Sequence, residues 1–166
     1  GLLANGNYTI SFTGNTLSIT PATLNVAANV QTKVYGAADP ALTYSVGGLQ
    51  AGDTEATVLT GALTRVAGEG VGGYAITQGS LVANGNYTLS FTGNTLSITP
   101  ATLTIMAADK SKTYGQTVTF DGTTPSADFT VVGLLNSDTV TSVALVSSGA
   151  GATATALAVD VGDERS

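Results

Sequence analysis

Two K-x-Y-G tetrapeptides, Lys33-Val34-Tyr35-Gly36 and Lys112-Thr113-Tyr114-Gly115, place a primary amine and a phenol at one fixed spacing twice in the chain. Lysine beside a strand could close an isopeptide bond to asparagine. That reaction needs a buried carboxylate next to the pair, and Glu55 and Glu69 are the only glutamates in the unit around Lys33. An exposed tyrosine could stack on a sugar ring. The plainer reading is preferred for both residue types. Lys33 and Lys112 are expected to be solvated guards of a strand edge. Tyr35 and Tyr114 are expected to close the core from a strand end while the following glycine makes a turn.

Asp39, Asp53, Asp121, Asp128 and Asp138 invite a calcium reading. Calcium takes roughly six to eight oxygens gathered locally, and no D-x-D-x-D-G string occurs. Turn and cap roles are expected for these aspartates instead. Asn7 and Asn86 each open an N-Y-T glycosylation pattern, yet asparagine beside glycine is ordinary turn chemistry. The chain has neither His nor Cys, which removes imidazole- and thiol-based nucleophilic constellations, most nitrogen or sulfur metal sites, and any disulfide framework. No sequence pattern brings two carboxylates together for acid–base work. No catalytic, cofactor-binding or metal-ligating residue is therefore assigned, no cofactor is expected, and a ligand-binding surface is left open.

Charge narrows the partners. Five cations against eleven acids leave a net charge of −6 and a pI near 4.1, so there is no basic surface to neutralise phosphates, and nucleic acid is not expected as a partner. Apolar residues make up 43% of the chain, enough for a core, whereas charged residues supply 10%; a disordered chain shows the reverse balance. No apolar run approaches the roughly 20 residues of a membrane span. Membrane insertion is not expected, and any secretion signal is expected outside this segment.

The elements that must position these residues come in copies. ANGNYTISFTGNTLSITPATL, starting at Ala4, recurs from Ala83 with Ile10 against Leu89 as the one change over 21 positions, a period of 83 − 4 = 79 residues. Lys33, Tyr35 and Gly36 fall on Lys112, Tyr114 and Gly115 at that offset. Gly48, Leu49, Asp53 and Thr54 match Gly133, Leu134, Asp138 and Thr139 at an offset of 85, which predicts six extra residues in a longer loop near TFDGTTPSA. Residues 1–21 read as the C-terminal part of a preceding repeat, 22–100 as one complete repeat, and 101–166 as an incomplete following repeat. Such a unit is too long for most solenoid repeats and suits small modules in tandem.

Period-two alternation is the dominant local signal. Tyr87, Leu89 and Phe91 alternate with Thr88, Ser90 and Thr92, and Leu96 and Ile98 with Ser97 and Thr99; Gly93-Asn94 between them predicts a β-hairpin with Phe91 central to the core. Similar alternation marks Leu42 to Val46, Tyr74 to Thr77 and Leu103 to Ala107. The segment 52–59 reads as a helix of two turns at most, with Asp53 as its N-cap. Thr99 runs through Pro100-Ala101-Thr102 into Leu103 with no flexible spacer, so neighbouring units are expected to be stiffly coupled.

The ordered motifs KTYG, DPALTY, GL with GDT, LTR, VGGYAIT and NYTLSFTGNTLSITPA resemble the MBG/YDG-type tandem repeat modules of bacterial filamentous-haemagglutinin-like surface adhesins. The resemblance implies a mainly β, β-grasp-like module, with an Ig-like β-sandwich as the alternative. It also implies an extracellular, cell-surface setting, no catalysis, and a structural stalk or spacer role. The competing reading is an adhesive module that binds host glycan or matrix protein, or a self-associating fibre subunit. The partners so implied are neighbouring repeats of the same chain, a host surface, or like fibres.

Overall fold

The computed structural model describes residues 1, 3, 5–50, 52–147 and 155–162, the last stretch as backbone alone. Alternating apolar and β-branched residues form strands throughout, and the fold is mainly β. In the central unit the chain forms β1 (Ala22–Ala28), β2 (Gln31–Val34), β3 (Tyr44–Gly47), the short helix α1 (Glu55–Val58), β4 (Leu59–Thr60), β5 (Thr64–Arg65), β6 (Gly72–Thr77), β7 (Val82–Ala83), β8 (Tyr87–Thr92) and β9 (Asn94–Thr99).

The first and last pairs of strands set the architecture. β1 runs parallel to β8 from Ala22 against Tyr87 to Ala27 against Thr92, and β2 runs parallel to β9 from Gln31 against Leu96 to Val34 against Thr99. Both ladders keep one register, 87 − 22 = 96 − 31 = 65 residues. Segments 22–34 and 87–99 are therefore two long arms lying side by side, each bent once. The first half joins a three-stranded sheet of order β3-β1-β8, and the second a four-stranded sheet of order β2-β9-β6-β5.

This corrects the hairpin expected at Gly93-Asn94. β8 and β9 do not pair with each other; the chain turns a corner between two sheets. At the bend, a Cβ on Gly93 would stand 2.7 Å from the Ile76 carbonyl oxygen, and Asn94 Nδ2 donates to the Ala28 carbonyl at 3.0 Å, tying the two bends together. Glycine and asparagine are here because of a close approach and a cross-arm hydrogen bond, not a two-residue turn. Between the sheets lies the core of Leu24, Val26, Val58, Ile76, Leu81 and Leu96, with Tyr87 at its margin. Phe91 packs against this core half-buried rather than standing at its centre.

The helix is a single turn. Thr54 is its N-cap and its N–H donates to Thr57 Oγ1 at 3.1 Å, while the β-branched pair Thr57-Val58 leads straight into β4. Asp53 does not cap it. Its carboxylate accepts the Tyr87 hydroxyl at 2.5 Å, and the same hydroxyl accepts the Gln50 N–H at 2.9 Å.

The two near-identical copies differ in structure. Asn84 and Asn5 make the same turn, with Tyr87 N–H and Tyr8 N–H each donating to an asparagine carbonyl at 3.1 Å. Beyond that turn, residues 87–99 become β8 and β9, whereas residues 8–20 join no sheet and expose Tyr8, Phe12, Leu17 and Ile19. Turn chemistry is local and repeats with the sequence. Strand structure needs a paired neighbour, which segment 22–34 supplies to one copy only.

The following unit contains β10 (Thr104–Ala107), β11 (Phe129–Val132), β12 (Thr139–Val146) and β13 (Thr155–Gly162). β10 pairs antiparallel with β11, Thr104 opposite Val132, which is the Asn25–Gly47 pairing of β1 and β3 moved by 79 on one strand and 85 on the other. The six extra residues thus fall in the connection between β10 and β11. A second, smaller core collects Phe129, Val140 and Val143. Asp138-Thr139 is the counterpart of Asp53-Thr54, yet β12 stands where the central unit has α1. Val140, Thr141 and Val143 favour a strand where Glu55, Ala56 and Val58 allow a helical turn.

Candidate functional site

Two constellations stand out from the residues upward: a charge cluster within the central unit and the junction where that unit meets the next. The central unit carries two cations, Lys33 and Arg65, and both are engaged in the cluster. Lys33 Nζ lies 2.7 Å from Asp39 Oδ1 and 2.5 Å from Glu69 Oε2. Arg65 grips Asp39 through Nε at 2.5 Å and Nη2 at 3.0 Å, and Nη2 also reaches Glu69. Its Nη1 donates to the carbonyls of Val66 and Gly68. The guanidinium sits 5.5 Å from the centre of the Tyr74 ring, and Tyr74 donates its hydroxyl proton to the Gly70 carbonyl.

Lys33 belongs to β2 and Arg65 to β5, the two outer strands of the four-stranded sheet, so the cluster ties opposite edges of one sheet together. The guanidinium and then the ammonium, hydrogen-bonded to Asp39, hold that carboxyl down to about 2. Glu69 is lowered by Lys33 and then Arg65, and both cations are raised in return. This overturns the expectation of a solvated Lys33, which is 7% exposed and doubly paired. Lys112, its counterpart, does lie exposed.

At the junction, Tyr35 directly follows β2. Its N–H donates to the Thr99 carbonyl at 2.8 Å, and its hydroxyl donates to Asp138 Oδ2 at 2.9 Å, in the following unit. Gly36, at φ +80, leaves room for Leu135: a Cβ there would stand 2.7 Å from Leu135 Cδ1. A groove of about 310 Å³ opens here, lined by Tyr35, Val71, Pro100, Leu103, Leu135 and Asp138 among others. Among the described residues Asp138 Oδ1 is buried without a hydrogen-bond partner.

The structure separates the two K-x-Y-G motifs. Tyr35 is half-buried at the junction, whereas Tyr114 is fully exposed and closes no core. Gly36 and Gly115 nonetheless share a positive φ, +80 and +86, so the turn survives in both. Of the five aspartates, Asp121 makes the expected turn, accepting the Thr123 N–H and hydroxyl. Asp39 is an ion-pair partner, Asp53 a phenol acceptor, and Asp138 the junction acceptor. Asp128 is buried against Lys110, whose ammonium, together with the Asp121 N–H, lowers its carboxyl. Among the described residues no group of three or more acidic or metal-ligating side chains could hold a metal ion. Asn86 and Asn7 sit in turns, their N–H groups donating to Asn84 Oδ1 and Asn5 Oδ1.

Sequence reasoning missed the roles of Arg65, Asp39 and Leu135. The scarcity of charge was the available signal: a unit with so few ionisable groups that still keeps two cations near two acids pairs them.

Residues 24–97 match the family model described as MBG domain (YGX type). The central unit is similar to an MBG domain over these residues. The matched span runs from the core residue Leu24 of β1 to Ser97 of β9, so it takes in most of both bent arms and the whole charge cluster, and Tyr35-Gly36 lies within it. No curated protein and no solved structure matches the chain. In the central unit the cluster's carboxylates are neutralised by its own cations, and Tyr35, Tyr74 and Tyr87 are hydrogen-bonded to structural partners. The arrangement fixes strand edges and joins one unit to the next.

Proposed function

We propose that the central unit is a stiff structural repeat of a bacterial extracellular adhesin or surface fibre, holding other parts of the protein away from the cell and catalysing nothing itself. The observation that carries this reading is the course of the chain. It enters beside the Ala22–Tyr87 end of the paired arms and leaves at the Val34–Thr99 end, so successive units follow one another rather than fold back. At the exit, Pro100 fixes one backbone dihedral, Tyr35 holds Asp138, and Leu135 seats on Gly36. A spacer needs such a short, braced joint. The extracellular setting rests on the MBG match, since MBG domains occur in surface proteins.

Small-angle scattering on the 166-residue chain and its Pro100→Gly variant tests this. A compact unit of this size has a radius of gyration near 12 Å, so two cores set end to end give a clearly elongated distance distribution. The variant is expected to broaden that distribution with both cores still folded. A distribution unchanged by Pro100→Gly, or one no longer than a single globule, overturns the spacer reading.

A further inference from the structure

The longest open strand edge of the central unit is also its least guarded. The four-stranded sheet ends on β2, which carries Lys33, and on β5, which carries Arg65; charged side chains are a usual guard of such edges. The three-stranded sheet ends on β3 and β8. β3 has four residues and stops at Gly47, before the positive φ of Gly48. β8 has six, Tyr87 to Thr92, without a charge, a proline or a glycine, and its ladder with β1 runs without a bulge. No charged residue occurs between Glu69 and Asp109, and β1 and β3 contain none, so the whole three-stranded sheet is neutral in a chain of net charge −6. Its strands lie inside the complete unit 22–100, and among the described residues no strand pairs with the outer edge of β8.

The direction of the main-chain groups on that edge follows from one hydrogen bond. The Asn86 carbonyl accepts the Ala22 N–H at 2.9 Å, which turns Asn86 toward β1. Successive residues of a strand direct their N–H and C=O to alternate sides, so Thr88, Ser90 and Thr92 bond β1, and Leu89 and Phe91 direct theirs outward. The side chains of these two residues rest half-buried against the margin of the core, while Thr88, Ser90 and Thr92 are exposed on the opposite face.

We infer that the outer edge of β8 pairs antiparallel with the same edge of a second copy of this chain, joining the two side by side in one continuous sheet. One register pairs the outward residues with each other: Ser90 of one copy faces Ser90 of the other on a two-fold axis, and Leu89 faces Phe91 on either side of it. Leu89 and Phe91 then exchange both main-chain bonds, and the two Ser90 residues form the closer, non-bonded kind of pair. The same register sets an aliphatic side chain against an aromatic one on the core face, and Thr88 against Thr92 on the outer face. It brings no like charges together. An edge that meets its own copy makes an isologous contact, which closes as a dimer.

Sedimentation equilibrium on the intact chain from micromolar to near-millimolar concentration reads the outcome. The weight-average mass is expected to rise from 16.4 kDa and level off at twice that value. A contact of one strand from each copy is small, so the upper concentrations carry the signal. Ser90→Lys, at an exposed position of the single chain, sets two ammonium groups face to face at the axis and is expected to hold the mass at one chain. The chain has no cysteine, so Ser90→Cys supplies one thiol. Mild oxidation is expected to link two copies through it, whereas Ser45→Cys, exposed on β3 at the opposite edge, is expected to stay unlinked. A single-chain mass at every concentration, with the two cysteine variants oxidising alike, overturns the inference and leaves the edge to a strand of another protein. Association that Ser90→Lys leaves unchanged overturns it too, as does a mass that climbs past two chains without levelling, because either belongs to another surface. None of these results touches the spacer reading, which rests on the Pro100 joint.

Discussion

Tyr35 and Asp138 stand 103 positions apart in the sequence, and the hydroxyl of the first donates to Oδ2 of the second at 2.9 Å across the boundary between two cores. A glycine turn presents the tyrosine, and a turn closed by the Asp138 N–H onto the Leu135 carbonyl presents the acid. Tyr35→Phe keeps the ring and removes the donor. A hydrogen bond to a carboxylate contributes about 1.5–3 kcal/mol when formed away from water, and the half-buried setting places this one at the lower end. A double-mutant cycle with Asp138→Ala, followed by urea unfolding, is expected to give a coupling energy of about 1.5 kcal/mol. A coupling indistinguishable from zero would mean that the joint is held by Leu135 and Pro100 alone.

The charge cluster predicts acid sensitivity. Asp39 titrates at about 2 in the folded protein, and Glu69 is also lowered. Both therefore favour folding at pH values above the ordinary carboxylate range of about 4, and that contribution fades as pH falls toward the folded values. The melting temperature should drop between about pH 4.5 and 2, more steeply than in Asp39→Asn, whose slope should flatten. Both carboxylate side chains are about 40% exposed, so moderate salt should weaken the effect. On the alkaline side, the raised Lys33 contributes below its ordinary value, and the contribution is lost as pH climbs past it. Equal acid slopes in the two proteins would remove the cluster from the stability of the module.

Leu96 and Leu17 occupy the same place in two copies of one sequence, yet Leu96 is 0% exposed and Leu17 is 90% exposed. Leu96→Ala should cost about 2–5 kcal/mol, the range for emptying a packed leucine site. Leu17→Ala, measured on dilute protein, should stay within about 0.5 kcal/mol of the parent. Chemical denaturation of the two variants compares the sites directly. Similar losses would mean that residues 8–20 pack in solution against something that the isolated fold leaves open.

That pair also shows what a sequence can carry. Alternation in Tyr87 to Phe91 and Leu96 to Ile98 identified the right inward residues, because facing positions depend only on period two. The change of offset from 79 to 85 anticipated the β10–β11 register, because a loop insertion leaves flanking pairs untouched. The strand partners could not be read. Gly93-Asn94 looks like a hairpin turn locally, and only the nearby Ile76 carbonyl and Ala28 carbonyl reveal a corner. Lys33 looked solvated because its acids lie 6 and 36 positions away, on loops that meet only after the four-stranded sheet has formed. Tyr35 and Tyr114 share one motif but differ in what surrounds them, which no window of sequence contains.

Gly48 and Gly133 occupy equivalent positions in the two units and test whether the cores are independent. Gly48 has φ +95 and Gly133 φ +105, a region that side chains rarely adopt. A Cβ on Gly48 would stand 2.6 Å from the Thr23 carbonyl oxygen, and one on Gly133 2.5 Å from that of Thr102, the counterpart of Thr23. The close atom is backbone of the adjoining strand in each case and cannot swing aside. The φ penalty alone is roughly 1 kcal/mol or more, and relieving the contact means displacing β1 or the start of β10 as well. Each alanine variant should therefore lose more than about 2 kcal/mol, well beyond an ordinary surface change. Calorimetry separates the two. Gly48→Ala should lower the transition of the larger core around Leu24 and Ile76, and Gly133→Ala that of the smaller core around Phe129, each leaving the other transition near its parent temperature. If Gly133→Ala lowered both transitions equally, the two cores would unfold as one cooperative body, and the junction at Tyr35 and Asp138 would be part of a shared core rather than a joint between modules.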